Sequence, residues 1–224
     1  MDALLQNFFN FAVFRDVFPS LLRGLWTTIW LSLLVIPIGL VSGLVLALIA
    51  TQARNRWLRI GIAIYVDFFR AFPPLVLLIL IYFGSPFLGL EIPKLMAVAI
   101  GFMLNNSSYF SEVFRAGIEA VPKGQMEAAR STGLSKLQAL TFVIVPQATR
   151  NVLPDLVGNC IEVVKLTTIA SVVALPELLR AARDAQSLVY NPSPIVLAAA
   201  LYLVLLWPAV RLLSRLEHRG RAVR

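Results

Sequence analysis

Four long runs without a single Asp, Glu, Lys or Arg, at 24–53, 71–90, 95–111 and 185–210, constrain this chain more than anything else in it. In hydrocarbon every backbone N–H and C=O has to be satisfied inside the protein, so apolar runs of about 20 residues read as helices that close their own hydrogen bonds. Composition agrees: 58% of residues are hydrophobic, 14% are charged and mean hydropathy is +0.79. A soluble domain carries about 25% charged residues, so that class is excluded.

A fifth stretch, 151–176, carries Asp155, Glu162 and Lys165 among Leu, Val and Ile, and reads as a helix facing a protein interior or a water-filled cavity. The expected fold is therefore an all-α integral membrane protein with five transmembrane helices. Their approximate spans are 22–50, 60–84, 94–118, 150–175 and 194–216, in one membrane domain covering 1–224 without an internal repeat. A secondary transporter would usually show two similar halves. The start Met1-Asp2-Ala3-Leu4-Leu5-Gln6 lacks the basic n-region of a cleaved signal peptide, so the first span is expected to be retained.

Several chemistries are ruled out by counting. The single cysteine, Cys160, leaves no internal disulfide or Cys-rich metal site, and the single histidine, His218, lies in the basic tail. No phosphate-binding G-x-x-x-x-G-K-[ST] loop occurs. No metal site, bound cofactor or catalytic residue is expected, and a membrane enzyme lacks a nucleophile–base pair.

Charge placement sets the expected orientation. Arg54, Arg56, Arg59, Arg115, Lys123, Arg130, Lys136, Arg150, Arg211, Arg215, Arg219, Arg221 and Arg224 fall on one side of five spans. Only Arg15, Arg23, Lys94, Arg180 and Arg183 fall on the other. The positive-inside rule puts the 119–147 loop and the C-terminus in the cytoplasm and the N-terminus outside. The net charge of +8 then belongs to membrane surfaces rather than to nucleic acid.

Within the spans, Gly39, Gly43 and Ala47 form a small-residue face that allows close helix approach. Residues 1–20, with Phe8, Phe9, Phe11, Phe14 and Phe18, read as an interfacial segment or a plain lead-in to the first span. Pro73-Pro74 breaks the second span. The polar run from Asn105 to Tyr109 either bonds between helices or lines a hydrated path. Glu162 and Lys165 share one helix face and either neutralise each other or, with Asn159 and Thr167, line a site.

The polar segment 121–140 is patterned as two short helices at a bend. Pro122 suits a helix start, Gly133 a left-handed C-terminal position, and Ser135 with Gln138 a capping box, while Leu134, Leu137 and Leu140 follow at helical spacing. Glu127-Ala128-Ala129, Gly133 and Val143-Ile144-Val145-Pro146 together resemble the "EAA" loop of ABC importer permeases, with Val143 and Val145 in place of the usual Ile and Leu. Segments at 24–32, 68–75, 109–117, 122–125 and 175–178 resemble, in the same order, the polar amino-acid uptake branch of that family. Two departures, Arg70-Ala71-Phe72-Pro73 and Lys165-Leu166-Thr167-Thr168, bear on the substrate.

The resemblance implies a type I importer permease with a cytosolic coupling helix between spans three and four. Glu127, Ala128, Ala129 and Gly133 would meet a separate ATPase, which uses ATP and Mg. It further implies a second permease subunit, the same or a sister chain, and an extracytoplasmic solute-binding protein. An amino acid would move along a path whose candidate residues are Asn105, Tyr109, Asn159, Glu162, Lys165 and Thr167. A passive channel or a membrane scaffold with a similar docking loop is the alternative.

Overall fold

The computed structural model describes residues 6–222, with side chains as far as Glu217; His218 and the reading of residues 1–5 as a retained start lie outside what is described. Among the described residues all regular structure is helical, with no strand. Helix α1 is Phe11–Gln52, α2 is Arg56–Ala71, α3 is Pro74–Gly84, α4 is Lys94–Glu119 and α5 is Lys123–Ser131. Then come α6 Lys136–Ala139, α7 Val145–Asn151, α8 Leu153–Leu166, α9 Leu178–Val189 and α10 Ser193–Ala222.

Among the described residues, three stretches are long and apolar enough to cross a membrane: Gln6–Gln52, Leu153–Val173 and Ser193–Glu217. The broken pair Arg56–Ala71 and Pro74–Leu88 makes a fourth if counted as one. Helix α4 has 26 residues, but the polar run from Asn105 onward lowers its apolarity. The helix holding the expected 22–50 span begins earlier than expected, at Phe11, because Asn10 caps it by accepting from the Ala12 and Val13 amides at 3.1 and 3.2 Å. Residues 11–20 are thus part of that helix.

The residues group into two compact units. The first comprises the described residues of Met1–Val35, Leu75–Gly101 and Ile161–Arg224. Its core packs Val17 and Leu21 of α1 with Leu178, Ala182 and Ala185 of α9 and Ala198 of α10. At Gly24 an added Cβ would lie 2.8 Å from the Ala181 Cβ and 2.9 Å from the Leu178 Cα, so α9 sits against α1 at backbone distance. Glu177 locks this junction. Fully buried, it caps α9 by accepting from the Leu179 and Arg180 amides at 2.8 and 2.7 Å, and Tyr202 donates to it at 3.0 Å. Thr28 accepts from the Leu178 amide at 3.1 Å.

The second unit is Ile36–Pro74 with Phe102–Cys160. Here the small-residue face of α1 packs inside the chain. A Cβ on Gly43 would lie 2.5 Å from the Phe110 Cβ, one on Gly39 would lie 3.0 Å from the Asn106 Cβ, and Ala47 is fully buried. Phe110 therefore fills the groove that the two glycines leave.

Candidate functional site

The helix break at Phe72-Pro73 organises the polar run of α4. Pro73 and Pro74 have no N–H, so the carbonyls of Phe69 and Arg70 lose their helical donors. Asn105 donates its side-chain amide to the Phe69 carbonyl at 3.1 Å, and the Tyr109 hydroxyl donates to the Arg70 carbonyl at 3.3 Å. Tyr65 and Ser107 bond hydroxyl to hydroxyl at 2.8 Å, and Ser108 donates back to the Asn105 carbonyl at 2.6 Å. Both candidate path residues of this run thus bond between helices within the unit. The buried Nδ2 of Asn106 has no partner among the described residues. Below the run, Arg70 and Arg115 flank Glu112 at 3.6 and 2.9 Å, and Arg115 reaches Glu119 at 2.8 Å.

On α8, the Lys165 Nζ donates to the Glu162 carboxylate at 2.6 Å, so the expected pair is made. Within the single chain the two side chains remain 50% and 62% exposed. Asn159, half-buried, lies three residues before Glu162 on the same face. Thr167 lies elsewhere: it is fully buried and its hydroxyl donates to the Val164 carbonyl at 2.7 Å, where the α-helix tightens into the 3₁₀ turn Thr167–Val173.

The 122–147 loop follows its local rules closely. Pro122 precedes α5, and Gly133 adopts a φ of +88° just past its end, with its amide donating to the Arg130 carbonyl at 3.1 Å. Both halves of the capping box form, the Gln138 amide donating to Ser135 at 3.3 Å and the Ser135 amide to Gln138 at 2.8 Å. Glu127 and Ala128 are exposed, whereas Ala129 is buried.

The expected apolar stripe does not stay together. Helix α6 lasts only four residues before widening into a π-turn at Leu140–Ile144, so Leu140 is buried and Leu137 is 73% exposed. The widening lies just ahead of Pro146, whose missing N–H and bulky ring disturb the i→i+4 ladder there. Phe142, 70% exposed, joins Leu137 as an outward apolar group that helical spacing alone did not single out.

A helical membrane protein with one broken span and a capped polar loop between two long helices is the class these features define. Residues 37–221 match the family described as binding-protein-dependent transport system inner membrane component, and the chain belongs to it. It is 37% identical over 178 residues to the probable amino-acid ABC transporter permease protein YckA of Bacillus subtilis, covering 80% of this chain and 78% of that protein. It is 38% identical over 193 residues to the putative glutamine transport system permease protein GlnP of Rickettsia felis, covering 84% and 88%. Among solved structures it matches a crystal structure of an amino acid ABC transporter with histidines, at 36% identity and a TM-score of 0.82, covering 93% of this chain and 98% of that one. The chain is accordingly a membrane permease subunit of an ABC importer and not itself an enzyme.

Proposed function

We propose that this chain imports a polar amino acid or a close derivative, as one of two permease subunits, identical or sister chains, enclosing the path. Five spans result when the broken pair α2 and α3 and the polar helix α4 each count as one, with the N-terminus outside and the C-terminus in the cytoplasm. The excess of basic residues at the 54–59 turn, the 115–150 segment and the tail supports that orientation.

The 122–147 loop is the coupling element. The observation that carries this reading is its geometry: a left-handed Gly133 and a complete capping box hold Glu127, Ala128, Leu137 and Phe142 outward on a short, rigid bend. Small Ala128 permits close docking of a cytosolic ATPase, and buried Ala129 lets α5 lie flat on its own unit. Glu127 is free to pair with a basic residue of that partner, which holds the ATP and Mg. A solute-binding protein would deliver the amino acid from outside.

Along the path, the exposed pair Glu162–Lys165 suits an amino acid, its carboxylate facing an α-ammonium and its ammonium an α-carboxylate. Asn159 adds a neutral hydrogen-bonding group on that helix face, and Asn105, Tyr109 and Thr167 are the remaining candidate residues of the path. Co-reconstitution with a cognate ABC ATPase and solute-binding protein tests the proposal. Uptake of a labelled polar amino acid should require ATP and the binding protein; uptake that runs without ATP would favour a channel instead.

A further inference from the structure

A groove of about 620 Å³ opens within the second unit beside the 53–55 turn, and its charges do not cancel. Two of its carboxylates, Glu112 and Glu119, are already held by Arg115 at 2.9 and 2.8 Å, with Arg70 3.6 Å from Glu112. The remaining lining acid, Asp67, faces three lining arginines, Arg54, Arg56 and Arg59, none of which makes an ion pair among the described residues. The groove therefore carries surplus positive charge as guanidinium groups, whose forked donors match phosphate oxygens.

The setting points to where that phosphate comes from. On the neighbouring stripe of α2, Trp57, Ile64 and Phe68 are 78%, 64% and 53% exposed, an apolar row headed by a tryptophan. Trp at the end of such a row sits at the headgroup level of a bilayer, which places Arg56 and Arg59 at phosphate depth. Ile60 and Ala63, between the arginines and the buried Val66, give the groove an apolar floor suited to a glycerol backbone.

We propose that this groove binds the headgroup of one anionic phospholipid, its phosphate gripped by Arg54, Arg56 and Arg59. The orientation proposed above decides only the leaflet, which would be the cytoplasmic one.

The test uses the full-length permease purified with its ATPase, titrated with phosphatidylglycerol or phosphatidylcholine and read by native mass spectrometry and thermal unfolding. Phosphatidylglycerol should be retained selectively and should raise the melting temperature. The combined Arg54→Gln, Arg56→Gln and Arg59→Gln variant should lose retention roughly 100-fold, since each basic residue near an anionic surface adds severalfold to affinity. The matching triple Lys variant keeps the charge and should retain phosphatidylglycerol better than the Gln variant but less tightly than the parent, because the forked donors are lost. No preference for phosphatidylglycerol in the unmodified complex would overturn the proposal, as would equal retention by the Gln variant. Inorganic phosphate giving the same thermal shift at the same concentration would also overturn it, reassigning the groove to a soluble anion. Thiol labelling of a cysteine introduced at Gln125 separates the orientation: labelling from outside, with the lipid preference intact, moves the site to the other leaflet and leaves the binding standing.

Discussion

Asn105 donates its side-chain amide to the carbonyl of Phe69 at 3.1 Å, and that carbonyl is one its own helix cannot satisfy, because the residue four positions on is Pro73. A polar side chain that looks costly in a membrane helix thus repairs a break in its neighbour. Asn105→Leu should therefore leave the Phe69 carbonyl orphaned and destabilise the permease by about 1–3 kcal/mol. Tyr109→Phe, which removes a longer bond from a half-exposed hydroxyl, should cost less. Thermal unfolding in detergent gives the order, and equal stability of Asn105→Leu and the parent would mean that the break is satisfied another way.

Gly133 separates two reasons for a glycine. A Cβ placed there would meet nothing within 4 Å, so space is not the constraint; the φ of +88° is. Gly133→Val should strain the turn by about 1–2 kcal/mol and lower solute-stimulated ATP hydrolysis by the assembled transporter, while Gly133→Asn should be tolerated. Membrane insertion should be normal in both. Full transport by the Val variant would remove the bend from the coupling mechanism.

Orientation is checked by chemistry at three positions. In a Cys160→Ala background, cysteines introduced at Pro86 and Ser187 should react with an impermeant thiol reagent from outside, and one at Gln125 should not. The opposite pattern would invert the topology and carry the coupling loop away from the ATP.

What could be read from the residues was what depends on near neighbours. The Pro73-Pro74 break, the Ser135–Gln138 box and the left-handed Gly133 each follow from local backbone chemistry, and each is present. The Gly39–Gly43 face was legible as a close-approach surface, though not that Phe110 would fill it. Asn105 and Tyr109 stayed ambiguous because their acceptors lie on a different helix, freed by a break more than thirty residues earlier. Glu177 was legible only as part of the 175–178 resemblance, not as a buried helix cap. Its burial needs Thr28 and Tyr202 brought together from opposite ends of the chain, and no local pattern announces that.

Glu177 gives a pH prediction with a definite sign. Burial pushes its carboxyl above the ordinary value of 4.5, against the pull of the Leu179 and Arg180 amides and the Tyr202 hydroxyl. The folded state then holds the proton to higher pH than the unfolded state does, so this group's contribution to stability is fully present below 4.5 and declines as pH rises through the folded value. Glu177→Gln should flatten that decline. Glu177→Ala should cost about 1–2 kcal/mol at any pH through the lost helix cap. A melting temperature of the parent that rises across the same interval, after subtracting the Gln variant, would contradict the assignment.

The pair Glu162–Lys165 decides between structure and substrate. With side chains 62% and 50% exposed, its mutual attraction contributes about 0–1 kcal/mol to the fold, too little to explain two ionisable groups on a membrane helix. A purely structural role would make each single apolar replacement costly, because it strands one charge, and would let the double replacement recover both assembly and uptake. If the two groups hold the ends of an amino acid, the double variant should assemble with its ATPase, keep its melting temperature within a few degrees and still fail to transport. Glu162→Gln alone should then weaken uptake of zwitterionic substrates while leaving basal ATP hydrolysis in place. Recovered uptake in the double variant would take Glu162 out of the path.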